Sequence, residues 1–385
     1  MTAATRRIAA RLLAWHRRHG RHDLPWQRRP SPYRVWISEV MLQQTQVATV
    51  IPYYERFLRR FPDVATLAAA SADEVLGLWA GLGYYARGRN LHRAAQEIVA
   101  RHRGRLPRSI DALLALPGIG RSTAGAILAL AHDERHPILD GNVKRVLSRV
   151  FVVRARPEES ATRLWRLAER CTPTRHVAGY TQAIMDLGAT VCTRANPDCA
   201  HCPLVRGCGA FAAGLVDQLP ARRARRPRER RRTQMVLLLQ QGRVLLRRRP
   251  PRGVWGGLWA PPEFADEKAV RSFRARIGAG TTRARRLPAL RHSFTHFELD
   301  ISPWVLEIAR DARLAAGAGE RWVSPTGDPD VGMPAPVARL LAGYLAAGGR
   351  RERGNGEDGP VRAARTRGGG TRSRAVSRGA RPAHP

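Results

Sequence analysis

The chain of 385 residues has almost no lysine and few acidic residues. Of its 67 basic residues only Lys144 and Lys268 are lysine. The chain has only 31 Asp and Glu, so the formal net charge is +36. The near absence of lysine is typical of a GC-rich coding bias, but the surplus of positive charge is a property of the protein. It indicates a polyanionic partner whose binding weakens steeply with added salt.

Long apolar runs are also missing, and cysteine is scarce. The first twenty residues place apolar side chains at helical spacing without an uninterrupted apolar core, which predicts neither a signal peptide nor a membrane anchor. A cytoplasmic, reducing compartment is therefore expected. The five cysteines are then not expected to form disulfides.

Composition and apolar periodicity divide the sequence into four parts. Apolar residues recur at three and four positions over residues 1–220, which predicts an all-α domain. Residues 221–232 are an arginine-rich linker, and 233–347 have alternating β-like runs with a short helix at 335–346, which indicates an α/β domain. Residues 348–385 lack aromatic side chains and are expected to be a disordered basic tail. The predicted fold is multidomain.

Four of the cysteines crowd into seventeen residues with the spacing C-x6-C-x2-C-x5-C. Thiolates so close together indicate a metal site, either structural zinc or an iron-sulfur cluster. The long flanking spacers favour the cluster over zinc, whose ribbons usually offer two C-x2-C pairs. The predicted ligands are Cys192, Cys199, Cys202 and Cys208. Cys171 lies outside the motif and is predicted to be a small core residue.

The segment "LPGIGRSTAGAI" places Gly118 and Gly120 in a tight turn before a helix of small residues. Backbone N–H groups at such a turn can bind a phosphate oxygen. The alternative is an ordinary loop leading into a helix. The basic charge favours a helix-hairpin-helix grip on the DNA backbone, with Arg121 and Ser122 beside it.

Two carboxyls carry the catalytic hypothesis. Glu39 stands in the apolar run "VWISEVMLQQTQV", where apolar walls would keep it protonated, although most helical glutamates are surface charges. Asp140, in "ILDGNVKRVLSRV", is predicted to cap the helix behind it, and the helix dipole favours its ionised form. One protonated and one ionised carboxyl can cleave a glycosidic bond through an oxocarbenium-like transition state.

Taken together, these motifs resemble MutY-type adenine DNA glycosylases of the endonuclease III-like helix-hairpin-helix superfamily. The likeness begins near "LPWQ", runs through the cysteines and continues at "GVWGGLW" and "RHSFTHFELDI". It implies a six-helix domain, a [4Fe-4S] cluster domain within residues 1–220 (cluster loop 192–208), and a MutT-like (Nudix-fold) domain at 233–347. The implied substrate is double-stranded DNA with adenine opposite 8-oxoguanine or guanine, processed by a monomer associated with a bacterial nucleoid.

The resemblance also assigns roles to individual residues. Glu39 would protonate N7 of a flipped adenine, Asp140 would stabilise the sugar cation, and Asn142 would orient the sugar or water. Gln182 would recognise the adenine and Trp26 would wall its pocket. A helix-surface glutamine and a core tryptophan are the alternatives for these two.

Two further residues are implied to enter the DNA. Gln44 would fill the gap beside the flipped base, and Tyr84 would intrude next to the opposite base, which offsets part of the cost of flipping. The alternative for Tyr84 is a buried core aromatic, a description that suits Tyr85 better.

Departures from relatives refine the prediction. Endonuclease III-type lyases carry their Schiff-base lysine where this chain has Ser122, so a monofunctional glycosylase is expected, with Lys144 as the nearest substitute amine. The MutT-like domain lacks the glutamate-rich Nudix helix, so nucleotide hydrolysis is not expected. Its lesion-recognition loop reads Phe294, Thr295, His296 where the family has F-S-H.

Two other functions remain open at this point. A bifunctional glycosylase and lyase acting on pyrimidine lesions is disfavoured by Ser122 and by the MutT-like domain. A noncatalytic protein that binds damaged DNA is disfavoured by the presence of both Glu39 and Asp140.

Overall fold

The computed structural model describes residues 3–156, 159–221, 227–277, 281–308, 314–326 and 331–346. The first half is helical, with α1 (Ala3–His19), α2 (Pro32–Leu42), α3 (Val47–Arg60), α4 (Val64–Ala69), α5 (Ala72–Trp79), α6 (Ala86–His102), α7 (Ile110–Leu114), α8 (Arg121–His132), α9 (Gly141–Val150), α10 (Ala161–Cys171), α11 (Val177–Asp186) and α12 (Gly209–Ala212).

The second half is built on strands. It contains β1 (Glu229–Gln240), β2 (Arg243–Arg248), β3 (Trp259–Ala260), β4 (Glu263–Phe264), α13 (Glu267–Arg276), β5 (Thr281–Arg286), β6 (Leu290–Ser293), β7 (Phe297–Ile308), β8 (Glu320–Val323) and α14 (Ala335–Ala346). The predicted fold class is confirmed, as is the short helix at 335–346. Among the described residues, none of the helices has the length and apolar character needed to cross a bilayer.

Helix α2 shows how the sequence positions the later site. The Ser31 side chain caps its start by accepting from Arg34 N at 3.2 Å, and Pro32 occupies the first turn, where its missing N–H costs nothing. The helix buries Trp36, Ile37 and most of its other side chains. Glu39 is one of the few side chains of α2 that are not fully buried.

Two apolar cores divide the helical half. One lies among α2 to α8 and includes Trp36, Phe57 and Trp79, each fully buried. The other joins α1 to α9, α10 and α11 around Leu12 and Tyr180. Cys171 is fully buried in this second core, which confirms its prediction as a core residue.

The sheet has the strand order β3-β2-β1-β7-β5, with β4 on β1, β6 on β7 and β8 on β2. β1 and β7 run parallel and pair from Glu229 with Phe297 to Leu239 with Glu307. The last four residues of the predicted arginine-rich linker are therefore part of β1. Backbone pairing with β7 fixes them as a strand although their side chains are exposed. Residues 222–226 of the linker and the predicted tail at 348–385 lie outside the described residues.

The helices and the sheet are in direct contact. The first apolar core continues into β1 through Met235 and Leu237. Gly332 approaches Leu76 so closely that a Cβ would lie 3.0 Å from it. Polar contacts add to this packing: Arg89 Nη1 donates to Gly256 O at 2.5 Å, and Arg248 pairs with Asp73 at 3.1 Å.

Candidate active site

A cleft of about 810 Å³ lies between the two helical cores. Seven of the residues predicted from the sequence line it, although they come from separate parts of the chain. They are Trp26, Glu39, Gln44, Ser122, Asp140, Asn142 and Gln182. The structure thus brings the two predicted carboxyls to one cavity.

Glu39 is only partly exposed and faces this cleft. Burial among the apolar side chains of α2 raises the pKa of Glu39 from 4.5 to about 8, and the negative charge of Asp140 acts in the same direction. The carboxyl therefore holds a proton at neutral pH. The alternative of a solvated surface glutamate is wrong.

Asp140 caps α9, as the sequence predicts. Its Oδ1 accepts from Val143 N at 2.7 Å, and its Oδ2 accepts from Asn142 Nδ2 at 3.1 Å. Both bonds stabilise the anionic carboxylate, and so does the positive end of the helix dipole. Glu39 and Asp140 therefore share the cleft in unlike environments, one buried in the cleft wall and one hydrogen-bonded at a helix start.

Gln182 is buried rather than a helix-surface residue, with 9% of its surface exposed. Its Nε2 donates to Asp186 Oδ1 at 2.9 Å, one helical turn along α11. Asp186 is fully buried and also accepts from Arg21, through the backbone N at 2.9 Å and Nε at 2.8 Å. His16 Nε2 lies 3.4 Å from the same carboxylate. Burial raises the pKa of Asp186, but His16 and Arg21 outweigh it and lower the pKa below the ordinary value.

Trp26 satisfies both descriptions offered by the sequence. It is 7% exposed and packs edge-to-face on Tyr54 with ring centroids 5.4 Å apart, as a core residue would. It also lines the cleft. Its position therefore allows it to wall a base pocket while belonging to the first core.

The two predicted DNA wedges are exposed and adopt left-handed backbone conformations. Gln44 has φ +58° and Tyr84 has φ +49°, a region that non-glycine residues rarely occupy and that concentrates at functional sites. Tyr84 is 47% exposed, so the alternative of a core aromatic is wrong, whereas Tyr85 is buried as expected. Arg87 joins the two segments: its Nη1 donates to Gln43 O at 2.5 Å, and its guanidinium lies 5.3 Å from the Tyr84 ring centroid.

The predicted phosphate grip forms the turn before α8. Gly118 has φ +80°, and Gly120 is the residue that caps α8, so the sequence gives the turn the conformation it needs. Arg121 lies 4.0 Å from the ring centroid of Trp165 and pairs with Glu169 at 2.5 Å. Ser122 Oγ accepts from Leu139 N at 3.0 Å.

Lys144, the nearest substitute amine for a lyase, is half-buried on α9 and is absent from the lining of the cleft among the described residues. Its neighbour Arg145 lines the cleft instead.

The four predicted cysteine ligands surround one small cavity together with Arg149. Arg149 Nη1 lies 3.3 Å from Cys192 Sγ. Burial raises the pKa of the Cys202 thiol to about 11, with the other three cysteines adding to the increase. Within the described ranges, the structure contains no group of three or more His, Cys, Asp or Glu side chains close enough for a single metal ion.

The predicted lesion-recognition loop connects β6 to β7. Phe294 stacks on Phe297 with centroids 4.4 Å apart and contacts Trp255 at 5.5 Å. Thr295 and His296 at the tip are exposed. The aromatic stack supports the loop and leaves its polar tip open to a ligand. The loop lies outside the cleft.

Arg145 and Asp186 are parts of the site that the sequence did not reveal. Arg145 Nη2 donates to Asn142 Oδ1 at 2.8 Å and to Gly188 O at 2.6 Å, and its Nε donates to Cys192 O at 2.7 Å. A Cβ on Gly188 would lie 2.5 Å from the Asn142 Cβ, so this approach requires glycine. The spacing of Gln182 and Asp186 at i and i+4 on one helix was an available signal.

Comparisons with known proteins agree with this geometry. The family model of the HhH-GPD superfamily base excision DNA repair proteins matches residues 37–170, and a NUDIX domain model matches residues 234–343. A solved thermostable thymine-DNA glycosylase has a TM-score of 0.51 at 24% identity, covering 55% of this chain and 100% of its own, and establishes the fold alone. The helical half has the fold of the HhH-GPD superfamily base excision DNA repair proteins.

Relatives in sequence narrow this class. Adenine DNA glycosylase of Buchnera aphidicola (subsp. Baizongia pistaciae) is 34% identical over 86% of this chain and 94% of its own length. The human adenine DNA glycosylase is 34% identical over 81% of this chain and 69% of its own. The chain belongs to the adenine DNA glycosylase family.

Proposed function

We propose that this enzyme releases adenine from DNA where adenine stands opposite 8-oxoguanine, and less efficiently opposite guanine. The observation that carries the proposal is the pair of unlike carboxyls, Glu39 and Asp140, in one cleft of nucleotide size. Glycosidic bonds are broken by such pairs, in which one acid protonates the leaving group and one anion faces the sugar.

Glu39 is the general acid of this mechanism. A carboxyl with a pKa of about 8 holds its proton at neutral pH and can transfer it to N7 of a flipped adenine. Protonation lets the base depart as a neutral molecule. Trp26 and Gln182, which line the same cleft, wall the pocket and recognise the base.

Asp140 stabilises the sugar cation that forms as the base departs, through a transient covalent bond that water then displaces. The bonds from Val143 N and Asn142 Nδ2 hold its carboxylate in place. Asn142 orients the sugar or the attacking water. Its own amide oxygen is held by Arg145.

The DNA is bound through contacts outside the cleft. The backbone N–H groups at the start of α8, behind the turn at Gly118 and Gly120, bind a DNA phosphate. Arg121 and Ser122 lie beside this turn, and Lys144 lies on the neighbouring helix. Gln44 and Tyr84 replace the stacking lost when the adenine leaves the duplex. Their exposure and left-handed backbone support this role.

The tip of the β6–β7 loop recognises the opposite 8-oxoguanine. The Thr295 hydroxyl can hydrogen-bond to the lesion as the family serine would, and Phe294 and His296 flank it. We expect Thr295→Ala to reduce the preference for A:8-oxoguanine over A:G, whereas Thr295→Ser should preserve it. An unchanged preference in Thr295→Ala would remove this loop from lesion recognition.

The cavity at the cysteines suits an iron-sulfur cluster. A [4Fe-4S] cluster would be held by Cys192, Cys199, Cys202 and Cys208, and when bound it would tie their loop into one rigid unit against the DNA. The four thiols line one cavity, and the long spacers around their single C-x2-C pair favour an iron-sulfur cluster over zinc. Iron and acid-labile sulfide in the purified protein, both lost in Cys199→Ser, would support it. Stoichiometric zinc without sulfide would contradict it.

Release of adenine tests the function as a whole. The protein is incubated with an A:8-oxoguanine duplex, free adenine is measured, and the DNA is treated with alkali to reveal abasic sites. We expect release and alkali-dependent breaks at the adenine, both abolished in Glu39→Gln. If wild type releases no adenine and gives no breaks above those of the Glu39→Gln control, the result supports a noncatalytic damage-binding protein instead.

A further inference from the structure

Asp186 is a buried carboxylate that touches a residue of the cleft without lining the cleft itself. It has no exposed surface, and its partners are Arg21, Gln182 and His16. Gln182 recognises the base in the proposed function, whereas Asp186 has no role in it. The contact between the two determines which end of the Gln182 carboxamide can face a base.

The orientation of the Gln182 side chain follows from the chemistry of its partner. An ionised carboxylate only accepts hydrogen bonds, so the Gln182 amide nitrogen must face Asp186 Oδ1. Turning the carboxamide over would place Oε1 against Oδ1, where two acceptors repel each other and the bond is lost. Gln182 Oε1 is left without a hydrogen bond among the described residues.

Asp186 is itself held firmly enough to impose this orientation. Arg21 donates to both of its oxygens, through the backbone N and Nε, and His16 Nε2 lies 3.4 Å away. Arg21 belongs to the loop between α1 and α2, whereas Asp186 ends α11. The carboxylate is therefore fixed from two directions, and Asp186 cannot rotate to accept a reversed Gln182 carboxamide.

A carboxamide that cannot turn over distinguishes purines by the group at C6. Adenine carries an amino donor there, whereas guanine and hypoxanthine carry an oxygen acceptor. A free glutamine would serve either base, since its two ends exchange donor and acceptor. A fixed Oε1 accepts from the amino group and opposes an oxo group.

We propose that Asp186 is the positioning residue that sets the purine specificity of this enzyme, by holding Gln182 with its amide oxygen toward the 6-amino group of adenine. The inference rests on the proposed function, because it assumes that a flipped adenine enters this cleft. A site built around one hydrogen bond rejects the mismatched analogue by about tenfold to a hundredfold, the range expected for one unsatisfied buried polar group.

The test compares three target bases opposite 8-oxoguanine: adenine, hypoxanthine, and purine, which has hydrogen at C6. Single-turnover release of each is measured for wild type and Asp186→Asn. Asn has one acceptor oxygen where Asp has two, and Arg21 competes for it, so Gln182 no longer faces an acceptor-only group and its carboxamide can turn over. We expect the rate ratio of adenine to hypoxanthine to fall by about tenfold or more, while general damage to the site lowers all three rates together.

Matched variants separate orientation from local structure. Asp186→Glu keeps an acceptor-only group and should retain most of the discrimination. Thr190→Val removes the bond from Thr190 Oγ1 to the Asp186 backbone oxygen and leaves the carboxylate intact, so its ratio should equal that of wild type. If Asp186→Asn does not fold, Arg21→Met decides, because it removes the guanidinium that holds the Asp186 carboxylate in place and should lower the ratio as well.

The outcomes are distinct for the two proposals. No release of adenine by wild type would overturn the proposed function and this inference with it. Normal release of adenine with the same adenine-to-hypoxanthine ratio in wild type and Asp186→Asn, or in wild type and Arg21→Met if Asp186→Asn does not fold, would overturn the inference alone.

Discussion

At the scale of single residues, Glu39 couples the chemistry of the cleft to pH. Its pKa of about 8 means that the folded protein holds a proton which an ordinary glutamate, at 4.5, would release. The activity should therefore fall as pH rises through about 8, because the general acid is lost. Single-turnover adenine release between pH 6 and 9.5 measures this, and a rate that stays level to pH 9.5 would contradict it.

The same proton affects stability. The folded state binds it between pH 4.5 and about 8 and the unfolded chain does not, so the stability from Glu39 is full below pH 4.5 and is lost as pH rises through about 8. A difference of one between the folded and unfolded pKa of a group changes the free energy of unfolding by ~1.4 kcal/mol. Glu39→Gln, which stays neutral, should thus gain in free energy of unfolding over wild type as pH rises toward 8. Denaturant unfolding at pH 5 and pH 8.5 measures the gain, and equal differences at both would refute it.

In the proposed function, Ser122 stands where a lyase would carry the amine that captures the sugar. Its hydroxyl lines the cleft and accepts from Leu139 N, and it cannot form an imine. Borohydride should therefore trap little wild-type protein on DNA, and Ser122→Lys should increase the trapped fraction. Efficient trapping of wild type that disappears in Lys144→Ala would instead show that Lys144 serves as the nucleophile.

At the scale of elements, Asp140 caps α9 and, in the proposed function, also stabilises the sugar cation. Substitutions can separate these two roles. Asp140→Ala removes the cap and should cost about 1 kcal/mol of stability, whereas Asp140→Ser keeps a capping oxygen and should cost much less. Neither variant carries a carboxylate, so both should lose adenine release. Thermal unfolding and release are measured together. A Ser variant that retains activity would show that Asp140 acts only as the cap.

The elements also show what the sequence can predict. The cap at Asp140 depends only on neighbouring residues, so it was predictable from local spacing. The start of β1 at Glu229 was not, because four exposed residues of an arginine run become a strand only through pairing with β7, far along the chain. The orientation of Gln182 was hidden for the same reason, since Arg21 reaches Asp186 only in the folded protein.

At the scale of the whole molecule, the strong positive charge determines how the enzyme meets DNA. The segment from residue 349 to the end carries many arginines and few acids, and it lies outside the described residues. Deleting residues 349–385 should weaken binding to undamaged DNA and flatten its salt dependence, because fewer counterions are released. Fluorescence anisotropy from low to high salt measures both. Unchanged affinity and slope would show that the segment does not tether the DNA.

The apolar core that runs from α2 to α8 into β1 has a consequence for the molecule as a whole. With Leu76 packed against Gly332 and the sheet sharing a core with the helices, the helical half and the sheet half form one packed body rather than two domains joined only by a linker. A protease that severed the peptide link between them would leave a nicked particle that still migrates as one. Under the proposed function, this shared core would fix the spacing between the cleft that takes the adenine and the β6–β7 loop that contacts the opposite base.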